Sequence, residues 1–152
     1  MTTPTPPAGF LHLVVGYDGS PPAIRALDGA IRLLQGRAGR IDVVYVAHLS
    51  TAVMMSAGAI AEMESGFDEI EQELRAEVGQ RLTGQVENWG FERLQGIVAD
   101  ELIARAAGIH EAQPGHTVVI AVGSSSAAAH RIVGSVAVHL ARHSPVPVII
   151  VP

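Results

Sequence analysis

The sequence has no cysteine, which excludes disulfides, thiolate zinc centres and thiol nucleophiles. Aromatic residues make up only 4% of it. A core must therefore be built from Val, Ile, Leu and Ala, which suits strands buried on both faces. There is no run of Lys or Arg and the formal charge is −5, so the basic surface that sequence-independent nucleic-acid binding needs is missing. No apolar run approaches the ~20 residues that span a bilayer, and no membrane partner is expected. Met1 to Gly9 hold three prolines and no basic residue. This stretch lacks the charged and apolar regions of a secretory leader and reads as a flexible tail ahead of one domain over residues 10–152. With the absence of cysteine, it leads to the expectation of a cytoplasmic protein.

What is present is a chain of 152 residues, 48% of them apolar. A chain of that size buries roughly two-thirds of its unfolded surface, enough for one domain with a real core. Leu11, Leu13, Val14 and Val15 form an apolar run that stops at Gly16, with His12 inside it. Ser20 followed by Pro21 is a helix start, and Ile24, Leu27, Ile31 and Leu34 then recur at helical spacing up to Gly36. Ile41 to Val46 reads as a second buried strand. Ser50 to Ser65, rich in Ala, Met and Ser, is open between a loop and a lid. From Phe67 the helical period returns through Ile70, Leu74, Val78, Leu82, Val86 and Trp89, with Asp68, Glu71, Glu73, Arg75 and Glu77 on the opposite face. Phe91 to Val98 is expected as a strand, Glu101 to Ile109 as a helix, Thr117 to Val122 as a strand ending at Gly123, Arg131 to His143 as a helix, and Pro145 to Val151 as the last strand. Strands alternating with helices imply an α/β fold: a doubly wound, five-stranded parallel sheet with helices on both faces. Ligands bind such sheets beyond the C-terminal ends of the strands, where the strand order reverses.

Two strand ends carry residues suited to that place: Gly16-Tyr17-Asp18-Gly19-Ser20, and Gly123-Ser124-Ser125-Ser126 leading through His130 and Arg131 to Gly134-Ser135. Glycine lets backbone approach an anion, N–H groups and serine hydroxyls donate to phosphate, and a helix N-terminus adds partial positive charge. The other reading is that these small residues only turn the chain and cap the next helix.

Taken in order, these elements resemble the universal stress protein (UspA-like) family over nearly the whole chain, from Leu11 to Val151. The family's Val-Asp-Gly-Ser turn is matched by Tyr17-Asp18-Gly19-Ser20, and its small-residue helix by Ala26-Leu27. Its Gly-x-Pro-Ala element is matched by Gly96-Ile97-Val98-Ala99, with valine in place of proline. Its Gly-x2-Gly-x9-Gly-Ser loop runs from Gly123 to Gly134-Ser135, and its Pro-x-Pro-Val strand is Pro145-Val146-Pro147-Val148. The resemblance implies a Rossmann-like sheet in the order 3-2-1-4-5 and a homodimer paired through the C-terminal strand. It also implies a site for ATP or another adenine nucleotide, with Mg2+ accompanying the phosphates. It places Asp18 beside the adenosine, the backbone around Val46 at the adenine edge, Gly123 near the ribose, and Ser124, Ser126, Gly134 and Ser135 at the phosphates.

The chain departs from the family pattern in two ways. Ser126 stands where the second motif glycine belongs, and ten residues rather than twelve separate Gly123 from Gly134. Losing one donor to phosphate costs about 1–3 kcal/mol, roughly ten- to hundred-fold in affinity. His130 and Arg131 either supply charge to this loop or are solvated surface residues. A further departure is His116, where many members have Asp.

His139 and His143 lie four apart, a spacing that can set two metal ligands on one helical face, but no acidic residue stands between them and metal binding is not expected. His12 and His48 flank strands as ordinary satisfied or exposed side chains. Met54, Met55 and Met63 form a lid, form a partner surface or pack beneath the long helix. Asp18 has no second carboxylate placed by motif, so no catalytic residue is expected and a nucleotide contact is its more economical role. Two functions follow: a nucleotide-binding sensor or regulatory module in the stress response, or a dimeric stress-related interaction protein whose degenerate phosphate loop no longer holds ATP. A slow ATPase is the enzymatic alternative.

Overall fold

The computed structural model describes residues 9–48, 57–125 and 134–152. They form β1 (Leu11–Gly16), α1 (Pro21–Leu34), β2 (Gly39–Ala47), α2 (Ala57–Leu82), β3 (Trp89–Gln95), α3 (Val98–Ala112), β4 (Thr117–Gly123), α4 (Ser135–His143) and β5 (Val148–Val151). The five strands make one sheet in the order β3-β2-β1-β4-β5, and every pairing is parallel. This is the doubly wound α/β sheet the strand–helix alternation predicts.

Alternate strand residues serve opposite layers. Leu13, Val15, Ile41, Val43, Val119 and Ala121 pack with α1 and α2. Val14, Val44, Val118, Ile120 and Val122 pack with α3 and α4. Period-two alternation thus feeds two cores at once, which is why the strands read as continuous apolar runs. One polar cluster interrupts the second layer near the starts of the strands. His12 Nε2 lies 2.5 Å from Asp42 Oδ2, and Arg40 Nε donates to Asp42 Oδ1 at 2.8 Å. Burial alone would raise the Asp42 carboxyl, but the hydrogen bonds from His12 and Arg40 hold it at about 2. His12 is thus a buried ion-pair partner, and its ring lies 5.7 Å from that of His116.

Several boundaries differ from those the sequence suggests. The long helix begins at Ala57, so residues 57–65 are helical, and it ends at Leu82 instead of continuing to Trp89. Gly84 turns the chain at φ +82 and Val86 N–H closes back on the Leu82 carbonyl. Val86 is still buried, and Trp89 opens β3 opposite Ile41. Their match to the helical period is coincidental, because Val86, buried, and Trp89, half-buried, pack into the same layer from a different backbone. β3 stops at Gln95, and Val98 is the first residue of α3 and not the last of the strand. The break is Gly96, at φ +145, in a conformation side-chain-bearing residues rarely adopt. β5 starts at Val148, beyond Pro145 and Pro147, which have no N–H for a ladder. The helix expected from Arg131 is described from Ser135, with Gly134 as its N-cap.

Candidate functional site

The chain leaves β1 towards β2 on one side and β4 towards β5 on the other. The segments after β1 and β4 therefore diverge, leaving a cleft of about 350 Å³ at the C-terminal ends of the strands. Its size falls within the range of small-molecule sites, roughly 300–1,000 Å³. One wall is apolar: Val44 and Val46 from β2, Val98 and Leu102 from α3, and Val122 from β4.

Asp18 is exposed at the rim. Its Oδ1 accepts the Ser20 N–H at 2.9 Å, fixing the turn around Gly19, whose φ is +79. A Cβ on Gly19 would also lie 2.8 Å from Leu74 Cδ2, so this turn needs glycine twice over. Tyr17 is buried and its hydroxyl donates to Glu77 Oε1 at 2.7 Å. Burial, reinforced by Glu77, pushes its phenol above the ordinary range. Tyr17 therefore staples the turn to α2 as a neutral phenol.

Val46 presents backbone to the cleft. Tyr17 N–H bonds the Val44 carbonyl at 2.9 Å, and the β1–β2 register ends at Gly16 opposite Val44. Peptide groups two residues apart in a strand point the same way. The N–H and C=O of Val46 therefore face the space beyond the end of β1, while Ala47 C=O accepts Gly96 N–H on the β3 side.

Gly123 has a different reason to be glycine from the one its motif suggests. A Cβ there would overlap the Pro22 carbonyl of α1. Contact between helix and strand, independent of any ligand, already forbids a side chain. Ser124 does not line the cleft. Its N–H donates to the Val151 carbonyl at 2.8 Å and its C=O accepts from Arg25 Nη2 at 3.3 Å, so both peptide groups are taken. Ser125 does line it, and a Cβ on Gly134 would lie 2.6 Å from Ser125 Oγ. The two described ends of the β4–α4 connection thus meet at the cleft. Ser126, His130, Arg131, Met54 and Met55 lie outside the described residues. Met63 sits on α2, half-buried.

Two helix N-termini border the cleft, and they differ. In α1, Pro21 and Pro22 have no N–H, Ser20 Oγ accepts from Ala23 N–H at 3.4 Å, and the Ser20 carbonyl accepts from Ile24. No backbone N–H of its first turn is left over. In α4, Gly134 offers no side-chain cap and the first turn holds no acidic residue. Gly134, Ser135, Val136 and Ala137 all line the cleft. Among the described residues, nothing caps the positive end of α4, and its first N–H groups face the cleft where an anion could be met.

Of the residues the sequence suggests, Asp18, Val46, Gly123, Gly134 and Ser135 come together here. Val44, Val98, Leu102, Val122 and Ser125 complete the site. Val44, Val46 and Val122 were legible as strand residues and Leu102 as a helix residue, whereas Val98 reads as a strand end until Gly96 is seen to turn the chain. The described histidines lie elsewhere. His48 Nδ1 is 3.3 Å from the Gly96 carbonyl. His139 and His143 have rings 4.6 Å apart, with His139 Nε2 3.0 Å from Asp100 Oδ1. Among the described residues, no group of three His, Cys, Asp or Glu side chains is placed to hold a metal.

The chain was compared with known proteins. The model of the universal stress protein family matches residues 9–152. No curated protein sequence matches the chain. Among solved structures, universal stress protein UspA from Lactobacillus plantarum is similar at 19% identity and TM-score 0.73, covering 95% of this chain and 99% of that one. A universal stress protein in complex with cAMP is 21% identical with TM-score 0.64, covering 94% and 97%. One from Arabidopsis thaliana with AMP bound is 12% identical with TM-score 0.61, covering 93% and 90%. At these identities the structures speak for the fold, and the family model covers the sequence itself: the chain belongs to the universal stress protein family.

Proposed function

We propose that the protein binds an adenine nucleotide in the cleft between β1 and β4 and acts as a regulatory module of the stress response, without rapid turnover. The observation that carries this reading is the pairing of an apolar slot, edged by the outward-facing peptide of Val46, with an N-terminus of α4 that no described side chain caps. A purine fits the first and a phosphate the second. Adenine offers an acceptor and an adjacent amino donor to one N–H and one C=O, Asp18 stands at the rim for the ribose hydroxyls, and Ser125 and Ser135 stand with Gly134 on the phosphate side. Two related structures contain cAMP and AMP, which supports an adenosine ligand. Mg2+ would be held chiefly by the phosphates, since Asp18 is the single carboxylate lining the cleft among the described residues. Isothermal titration with ATP, ADP, AMP and cAMP tests the proposal, and no heat from any of them at millimolar ligand sinks it. An ATPase would instead release phosphate in a manner lost in Asp18→Ala with the fold intact.

The partner in this reading is a second copy joined along β5, which stands at the sheet edge and is half-exposed along its whole length. A cytoplasmic location fits the absence of cysteine. Among the described residues, no helix is long and apolar enough to cross a membrane.

One observation favours a second reading, a dimeric interaction protein that no longer holds ATP: both peptide groups of Ser124 are engaged within the fold. The ultraviolet absorbance ratio of the purified protein separates the two. Stoichiometric bound adenine ends the second reading.

A further inference from the structure

Helix α2 is longer than the sheet surface it covers. Its 26 residues extend roughly 39 Å at 1.5 Å per residue, yet its buried residues are Leu74, Val78 and Leu82, all in its C-terminal half. The stripe they define does not stop there. Ile60, Met63, Phe67, Ile70 and Leu74 continue it at alternating three- and four-residue spacing, the pattern of a helix that meets another helix. Phe67 is half-buried against the core, whereas Ile60 is 38% and Ile70 41% exposed. This part of the stripe is only partly covered by the body of the protein.

Its flanks are of one sign. Glu62, Glu64, Asp68, Glu69, Glu71 and Glu73 lie between Ala57 and Leu74, with no basic residue among them. The helix dipole does not explain this, because the first turn, where it acts, holds no acidic residue. On the β3 side, Arg93 pairs with Asp68 at 2.7 Å and Glu71 at 3.3 Å. On the other side, Glu69 and Glu73 stand one turn apart, a like-charge spacing that destabilises a helix. A second copy of α2 laid on this stripe would bring carboxylates against carboxylates.

We infer that the N-terminal half of α2 is a docking surface for a basic amphipathic helix of another protein, one with apolar residues at three- and four-residue spacing between Arg or Lys flanks. The apolar stripe supplies the contact, and the acidic flanks supply orientation and exclude self-association. The ten helical steps from Ile60 to Ile70 give a contact only about 15 Å long, so the complex belongs to the small, transient class. None of these residues lines the nucleotide cleft, so docking does not depend on nucleotide binding.

The test uses the full chain and three labelled helical peptides, followed by fluorescence anisotropy. One has leucines at heptad spacing with lysine flanks, the second the same leucines with glutamate flanks, and the third the lysine peptide scrambled to remove the apolar periodicity. Saturable binding of the first alone is expected. It should weaken several-fold as salt rises from ~0.15 M to ~1 M and about tenfold or more in Ile60→Ser/Ile70→Ser. Glu62→Gln/Glu69→Gln/Glu73→Gln should weaken it likewise. Glu87→Gln/Glu111→Gln, which removes two exposed charges elsewhere, should leave it unchanged. Circular dichroism checks that each variant is folded. Equal binding of the scrambled or glutamate peptide, equal loss in the remote-charge variant, or no binding at millimolar peptide overturns the inference. So does a self-association, seen by sedimentation, that Ile60→Ser/Ile70→Ser abolishes.

Discussion

Val46 allows a backbone hydrogen bond to be tested by substitution. Its N–H and C=O face the cleft, while those of Tyr45 and Ala47 belong to the β3 ladder. Val46→Pro therefore removes a donor aimed at the ligand and leaves that ladder whole, and proline is tolerated in a strand where its missing N–H faces open space. Tyr45, the preceding residue, is already extended, as a residue before proline prefers. If that N–H donates to adenine, its loss costs about 1–3 kcal/mol, or roughly ten- to hundred-fold in affinity. Val46→Ala is the control, since it loses side-chain bulk from the apolar wall but keeps the N–H. Titration calorimetry with AMP should give a modest loss for the alanine variant and a further loss of about tenfold or more for the proline variant. Wild type should also prefer AMP to IMP, whose ring nitrogen donates where adenine accepts, and Val46→Pro should narrow that preference. Equal affinity in the two variants, both folded by circular dichroism, would refute the assignment of the adenine edge to this peptide.

Asp42 sets an acid limit on stability. Its folded pKa of about 2 lies below the unfolded value of 3.8, a difference worth roughly 2 kcal/mol. That contribution is present above pH ~4 and is lost as the pH falls towards ~2. Urea midpoints of wild type should drop across this window, and those of Asp42→Asn should start lower and change less. Gly123→Ala should destabilise by about 1–3 kcal/mol through its clash with Pro22, with or without nucleotide. Gly134→Ala meets only the end of the Ser125 side chain and should cost less, as thermal denaturation would report. Ser20→Ala should cost about 1 kcal/mol by uncapping α1. In β5, Pro147 and Val151 turn their carbonyls to β4, so Ile150 turns its peptide to the open edge. Ile150→Pro should abolish a β5-paired dimer in sedimentation velocity while leaving the monomer folded.

The order and type of the elements were legible in the sequence because two physical periods dominate it. Continuous β-branched runs mark strands covered on both faces, and the helices between them keep a clear 3.6 period. The errors lie where one buried layer is supplied by two kinds of backbone. Val86 and Trp89 continue the helical spacing of α2, yet a Gly84 turn delivers them to the same layer from a loop and a strand. Val98 looks like the end of an apolar strand until Gly96, at positive φ, sends it into α3. Asp18, Val46 and Gly134-Ser135 were legible as members of the site through family resemblance. The isolation of Ser124 was not, because it depends on the C-terminal strand and on Arg25, far away in sequence.

The cleft owes its polarity to a contrast that motif reading blurs. Glycine after β4 and serine after β1 look like two halves of one phosphate cradle. In the fold, the serine is consumed as the cap of α1, two prolines remove that helix's first donors, and Gly123 exists to let β4 approach the Pro22 carbonyl. The first turn of α1 thus has no backbone N–H to offer an anion. On the α4 side, Gly134 caps nothing with a side chain, no carboxylate sits in the first turn, and Ser135 adds a hydroxyl. In the proposed nucleotide reading, the anionic end of the ligand would be met at α4, which leaves its apolar end for the slot of Val44, Val46, Val98 and Leu102. That orientation would bring a base to the outward-facing peptide of Val46 and the sugar between it and Asp18. The arrangement follows from which helix start is capped and which is not among the described residues.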